Sequence, residues 1–319
     1  MKGKERFINA LKRNKPIDKI PTFELVYYLT MELMGKVHPT HRNYAQWDQM
    51  TARERNLHIQ DMARVYVDTA KHYGHDAIFC HHNPYTLEVL KNLLTEIREI
   101  SGDEYFLCVH GDCTLPIPEG DTMVEFAAMM YDEPEKFIKQ QEDAYSASIN
   151  MAEQLSGTGL LDGFALCSDY AFNANPFYSP DMFADLVAPM LKKEIDSYRA
   201  LGYYTIKHTD GNINPILDQI VACGPDAIHS IDPQGHMCLK EVREKYGDKI
   251  ATIGNVNCGL LQTGTDEQVV QEVNRVLEEG RTNQARGFIF STSNCVYTGM
   301  NIERYDLMMN IFEKQRTIF

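Results

Sequence analysis

Eight short runs rich in β-branched and aromatic residues constrain this chain more than any single motif. They are PTFELVY (21–27), DAIFC (76–80), YFLCVH (105–110), GFALCS (163–168), YYTIKH (203–208), DAIHSI (226–231), KIATIGNV (249–256) and GFIFST (287–292). Polar turns and helix-like stretches lie between them. Residues 51–73 form one such stretch and residues 134–155 another. In 179–202, Ser179 stands where an N-cap belongs, Pro180 at the first helical position and Gly202 just past the end. Residues 264–280 repeat the punctuation, with Thr265 as cap, an acidic first turn and then Gly280. Strands alternating with helices argue for a parallel sheet, and eight is the number that closes a barrel. A doubly wound sheet is the rival. Against it, SGTGLLDG (156–163) lacks the third glycine of a dinucleotide loop and precedes a strand instead of following one. No Walker-type loop occurs. The expected fold class is α/β: a single (β/α)8 TIM barrel spanning residues 1–319, with an N-terminal helical extension.

Composition narrows the partners. With 44% hydrophobic residues the chain can bury a large core, and its formal net charge of −14 disfavours nucleic acid and anionic membrane surfaces. No run of about 18 apolar residues is present to span a bilayer. The amphipathic start, MKGKERFINALKRNKP, lacks the apolar region of a signal peptide, so the expected location is cytoplasmic. Eight cysteines without a CxxC pair give no disulfide framework.

In such a barrel the chemistry sits at the C-terminal ends of the strands. Glu24 lies in the first run. The second ends in Cys80-His81-His82, the third leads to His110 and Asp112, and the fourth to Asp169 and Tyr170. The fifth ends in His208-Thr-Asp210, the sixth holds His229 and Asp232, the seventh runs out through Asn255, and the eighth reaches Asn294 and Cys295. Histidines and cysteines at so many strand ends are not explained by loop polarity. Residues two apart on an extended chain face the same side, so His208 and Asp210 can both look into the mouth. Imidazole and carboxylate are metal ligands, and Cys295 would bring a thiolate from another strand. A hydrogen-bonded His-x-Asp pair that merely orders its loop is the structural alternative.

Over nearly its full length the chain resembles the uroporphyrinogen decarboxylase superfamily, which also holds zinc- and corrinoid-dependent methyltransferases. The resemblance rests on KERFINALKRNKPIDKIP, SDYAFNANPFYSPDMFADLVAPMLKKEI, KHTDGN, IDPQGHM, TIGNVNCGLLQTGTDEQVVQEV and GFIFSTSNCV, in that order. It implies a (β/α)8 barrel. True decarboxylases carry an arginine-bearing N-terminal motif that binds the carboxylates of the porphyrinogen. The corresponding TFELVYYLTMELMGK has no arginine, so the porphyrinogen branch is disfavoured. The methyltransferase branch binds zinc through a His-x-Cys and a later Cys. Here His208 and Cys295 match, and Asp210 replaces the first cysteine with a harder ligand of equal charge.

The resemblance therefore implies a methyltransferase moving a methyl group between a small-molecule donor or acceptor and methylcobalamin or another corrinoid. A separate corrinoid protein would carry that cofactor. His208, Asp210, Cys295 and Glu24 are the expected Zn2+ ligands. Asp210, Asp169 and His110 are the expected catalytic groups, and His81, Tyr170 and Asn255 the expected cofactor contacts. Two other readings remain open: a metal-free decarboxylase in which Asp210 or Asp169 stabilises a protonated intermediate, and a non-catalytic binding protein.

Overall fold

The computed structural model describes residues 1–317. Seven strands form one parallel sheet in sequence order: β1 (Ala77–Cys80), β2 (Phe106–His110), β3 (Gly163–Leu166), β4 (Tyr204–Thr209), β5 (Ala227–Ser230), β6 (Ala251–Ile253) and β7 (Phe288–Ile289). They are buried almost throughout, as expected of parallel strands covered on both faces. The strict neighbour order makes the sheet curl as in a TIM barrel.

The first expected strand does not form a ladder. Residues 21–27 contribute two isolated parallel bridges, Thr22 with Phe290 and Tyr27 with Val296. On the other side, the Asp76 amide donates to the Thr22 carbonyl at 2.7 Å. The cause is local. Pro21 has no N–H to donate, and the Thr22 hydroxyl reaches the Phe290 carbonyl at 2.8 Å, so the Phe23 amide shares that acceptor at 3.4 Å. The eighth run shrinks likewise, with regular pairing confined to Phe288–Ile289 and a bridge at Thr292.

Capping decides the helices. Thr51 accepts from the Glu54 amide at 3.2 Å and starts the helix Ala52–Tyr73, which ends on Gly74 in the left-handed region. Thr265 and Gln268 form a capping box on Asp266–Gly280. Ser179 caps at 3.2 Å as expected, but the stretch behind it is not one regular helix. A π turn at Phe183–Val187 separates Pro180–Met182 from Ala188–Ala200. Pro189 explains it, because a proline there has no N–H for the preceding turn.

The N-terminal helix Gly3–Leu11 places Phe7 against Phe23 and Phe106, with centroids 5.3 and 4.8 Å apart. These rings share a buried cluster with Ala77, Phe79, Ile206, Ala251 and Ile289 from the strands. A carboxylate locks the chain ends to this cluster. Asp76 bonds the Arg6 guanidinium, the Arg316 guanidinium at 2.9 Å and the Thr22 amide at 2.8 Å. All eight cysteines are free, and no described helix is long and apolar enough to cross a membrane.

Candidate metal and catalytic site

β4 and β5 run in register, so His208 lies beside His229. Their Nδ1 atoms are 2.8 Å apart. On the opposite side of the ring, His208 Nε2 lies 3.8 Å from Asp210 Oδ2 and 4.0 Å from Asp169 Oδ1. Asp169 follows the end of β3, and its Oδ1 accepts the Asp210 amide at 2.8 Å. Among the described residues Asp169, His208 and Asp210 are the one group of three ligand-type side chains whose donor atoms lie within 4.8 Å of one another.

Those separations are too long for direct hydrogen bonds. They approach the spacing of two ligands about 2.0–2.2 Å from a shared cation. The tautomer chemistry agrees. Burial and the neighbouring His208 hold the His229 pKa well below its usual value, so that ring is neutral. The Thr292 backbone makes a hydrogen bond that favours a proton on it. With its proton on Nε2, His229 accepts at Nδ1 from His208 Nδ1–H, and the lone pair of His208 is left on Nε2, facing the carboxylates. Asp210 is braced by the Ser230 hydroxyl at 2.7 Å and by the Asn294 amide. Burial pushes its carboxyl above the usual range, His208 and the Ser230 bond oppose this, and Asp169 and Asp232 add to it.

The other expected residues lie outside this group. Cys295 stands next to Asn294, whose Oδ1 accepts its amide at 2.6 Å, but it is outside the three-residue group. Burial and then the charge of Asp210 raise its thiol pKa. Glu24 is not at the cluster, which corrects its expected ligand role. Its carboxylate is consumed inside the sheet by Ser291 Oγ at 3.0 Å, Thr292 Oγ1 at 2.5 Å and Tyr305 OH at 3.1 Å. Tyr170 and Asn255 offer no open face to a cofactor. Tyr170 is fully buried with its hydroxyl 2.6 Å from Thr114 Oγ1, and the buried Asn255 amide donates to the Ile231 carbonyl at 2.7 Å. His81 and His110 line a neighbouring cleft of about 400 Å3 with His82, Tyr85, Asp112 and Met151. Burial, the first cause in each case, lowers both histidine pKa values.

The sequence has His229 inside the sixth run, without a role. The available signal was a histidine in each of two neighbouring apolar runs, His208 at the end of one and His229 within the next.

Glu24 carries its own pH signature. Burial outweighs its hydrogen bonds and raises its carboxyl to about 7. The folded form therefore holds the proton more tightly than the unfolded chain. This stabilisation is complete below the ordinary carboxyl value of about 4.3 and is lost as pH rises through 7. Between pH 5 and 8 the loss is about 2–3 kcal/mol. Urea unfolding of wild type and Glu24→Gln at both pH values should show the variant gaining on wild type by that amount at pH 8. Parallel pH dependences would refute the assignment.

The sequence profile of the family described as "Uroporphyrinogen decarboxylase (URO-D)" matches residues 117–315, which include all three cluster residues, His229 and Cys295. The chain belongs to the uroporphyrinogen decarboxylase family. Solved structures resemble this URO-D chain in fold. A "methyltransferase from Methanosarcina mazei" superposes with a TM-score of 0.74 at 18% identity, covering 98% of this chain and 99% of that one. A GH5_18 protein from Streptomyces cattleya in complex with GlcNAc gives 0.52 at 11% identity, covering 93% and 81%. No functionally curated protein matches. Fold likeness at these identities does not carry function, so the URO-D chemistry must be argued from the site.

Proposed function

We propose that this URO-D family member is a methyltransferase that uses a divalent metal held by His208, Asp210 and Asp169, with Cys295 beside them. The observation that carries the reading is the trio of donor atoms within 4.8 Å, beside a neighbour, His229, whose Nδ1 lies 2.8 Å from that of His208. The donor set fits a divalent cation. One imidazole and two carboxylates suit zinc, and are hard enough to admit manganese or iron. When bound, such a cation lowers the pKa of a coordinated thiol or hydroxyl so that the deprotonated nucleophile exists near neutral pH. Within the protein, Ser230 and Asn294 hold Asp210, the Asp210 amide holds Asp169, and His229 fixes the ring of His208.

The methyl group would pass between a small molecule and a corrinoid. The cleft lined by His81, His110 and Asp112, about 400 Å3, lies in the size range of small-molecule pockets. A corrinoid macrocycle would be presented at the mouth by a partner protein. The Methanosarcina methyltransferase shares the fold over nearly its whole length, so the proposed reaction class is one that this fold accommodates. Residues 21–27 are read as the first stave of a barrel closed between β7 and β1. Decarboxylation is the second reading, since Asp210's raised carboxyl pKa would suit an acid. Against it stands the absence of arginine from residues 22–36.

The test is elemental analysis of purified wild type, His208→Ala and Asp210→Ala, with methyl transfer to or from methylcobalamin as the activity. Wild type should hold a stoichiometric divalent cation. Each variant should lose more than about 100-fold in metal affinity, beyond the range expected of a supporting residue. Undiminished transfer by metal-stripped wild type refutes the mechanism.

A further inference from the structure

A line of buried polar groups leads from the candidate site into the sheet, and the proposed chemistry leaves its far end unused. His229 Nε2 lies 3.5 Å from Ser291 Oγ, which donates to Glu24 Oε2 at 3.0 Å. Glu24 also accepts from Thr292 Oγ1 at 2.5 Å, the Thr292 amide at 3.3 Å and Tyr305 OH at 3.1 Å. Glu24, His229, Ser291, Thr292 and Tyr305 are all buried. We infer that Glu24 is a positioning residue for His208: its carboxylate sets the hydroxyl direction of Ser291, which keeps the His229 proton on Nε2 and so leaves the His208 lone pair on Nε2.

The logic is one of donors and acceptors. An ionised carboxylate only accepts, so the Ser291 hydroxyl proton points to Glu24. The free lone pairs of Ser291 then face His229 Nε2, and that nitrogen carries the proton. A neutral imidazole has one N–H, so His229 Nδ1 is an acceptor, and the proton between the two Nδ1 atoms belongs to His208. A protonated or amidated residue at position 24 reverses the first step. It donates to a hydroxyl, the hydroxyl donates onward to His229 Nε2, and the lone pair of His208 moves away from the carboxylates. The titratable groups that feel the Glu24 charge are Tyr27, Tyr305, Cys258 and Cys295, with His229 reached through Ser291 and His75 through the Tyr305 hydroxyl at 3.2 Å. None of them carries a permanent positive charge that would hold the carboxylate in place of its hydroxyl donors.

The inference rests on His208 being the metal-binding histidine, but its test uses metal-free protein, so it fails or stands separately from methyl transfer. Long-range 1H–15N spectra of the 15N-labelled full chain at pH 8 should show His208 protonated on Nδ1 and His229 on Nε2. Glu24→Gln should shift His208 toward the Nε2–H tautomer, and Zn2+ titration should show affinity lower by about 10–100-fold. Wild-type His208 protonated on Nε2 overturns the relay whatever the variants do. Identical tautomers and Zn2+ affinity in wild type and Glu24→Gln overturn the role of Glu24. If that variant does not fold, Glu24→Asp, which withdraws the carboxylate by one methylene, should give a partial shift, and an unchanged tautomer overturns the proposal.

Discussion

Asp76→Ala is expected to destabilise the protein by about 3–5 kcal/mol, the cost of leaving buried charge without its partner. Asp76 is almost completely buried, as are Arg6 and Arg316. Its two oxygens serve both guanidiniums and the Thr22 amide. One side chain thus ties the N-terminal helix, the segment around Thr22, the entry to β1 and the C-terminal segment. The arginines keep other contacts after the change: Arg6 with Asp18 at 2.6 Å, and Arg316 with the Ile20 carbonyl at 3.0 Å. These contacts hold the loss to the stated range and prevent outright unfolding. Asp76→Asn, which keeps the acceptor oxygen and the volume, should cost less. Chemical denaturation checks both. A loss below about 1 kcal/mol for the alanine variant would show that the clasp is an exposed-type pair of small net worth.

The difference between what was legible in the sequence and what was not follows from range. Ser179 and Thr265 act within four residues of themselves, so their caps appear where the local pattern puts them. The apolar runs behind β1 to β6 need only burial, and each forms. The failures are competitions settled by distant partners. PTFELVY has strand composition, but Pro21 and the Thr22 hydroxyl divert its pairing with Phe290, 268 residues away in sequence. Pro189 was visible as a break in a helical pattern, and the surrounding cap and apolar spacing masked it. Within the candidate site, the His208/Asp210 spacing was readable because strand alternation puts both on one side. Asp169 joins them through a loop contact to the Asp210 amide that no spacing encodes. Glu24 and Tyr170 were misplaced for one reason. Sequence shows that a residue sits near a strand end, and not whether its polar atoms are already taken by Thr292 or Thr114.

Lys207→Met should also cost about 3–5 kcal/mol, and it should weaken the site without touching a candidate ligand. Lys207 is fully buried on β4, next to His208, and its Nζ bonds Asp112 Oδ2 at 2.8 Å and the Ser168 carbonyl at 2.9 Å. It also lies 4.1 Å above the Tyr170 ring. Asp112 Oδ2 in turn accepts the Ser168 amide at 2.8 Å. The ion pair therefore grips the Ser168 residue at its N–H and its C=O, immediately before Asp169. Methionine keeps most of the stem and its packing, but it strands the Asp112 carboxylate in the interior. Adding Asp112→Asn removes that stranded charge, and the double variant should recover most of the lost stability, because neutral replacements of a buried pair are tolerated far better than half of one. It should not recover the site. The Ser168 carbonyl still lacks its donor, Asp169 is held less firmly against the Asp210 amide, and Zn2+ affinity should stay about 10–100-fold below wild type in both variants, the size expected of a supporting residue. Urea denaturation and Zn2+ titration of the single and double variants separate the two effects. Restoration of both together would show that Lys207 acts only on the fold, and full Zn2+ affinity in the single variant would show that the geometry of Asp169 does not depend on the pair beneath it.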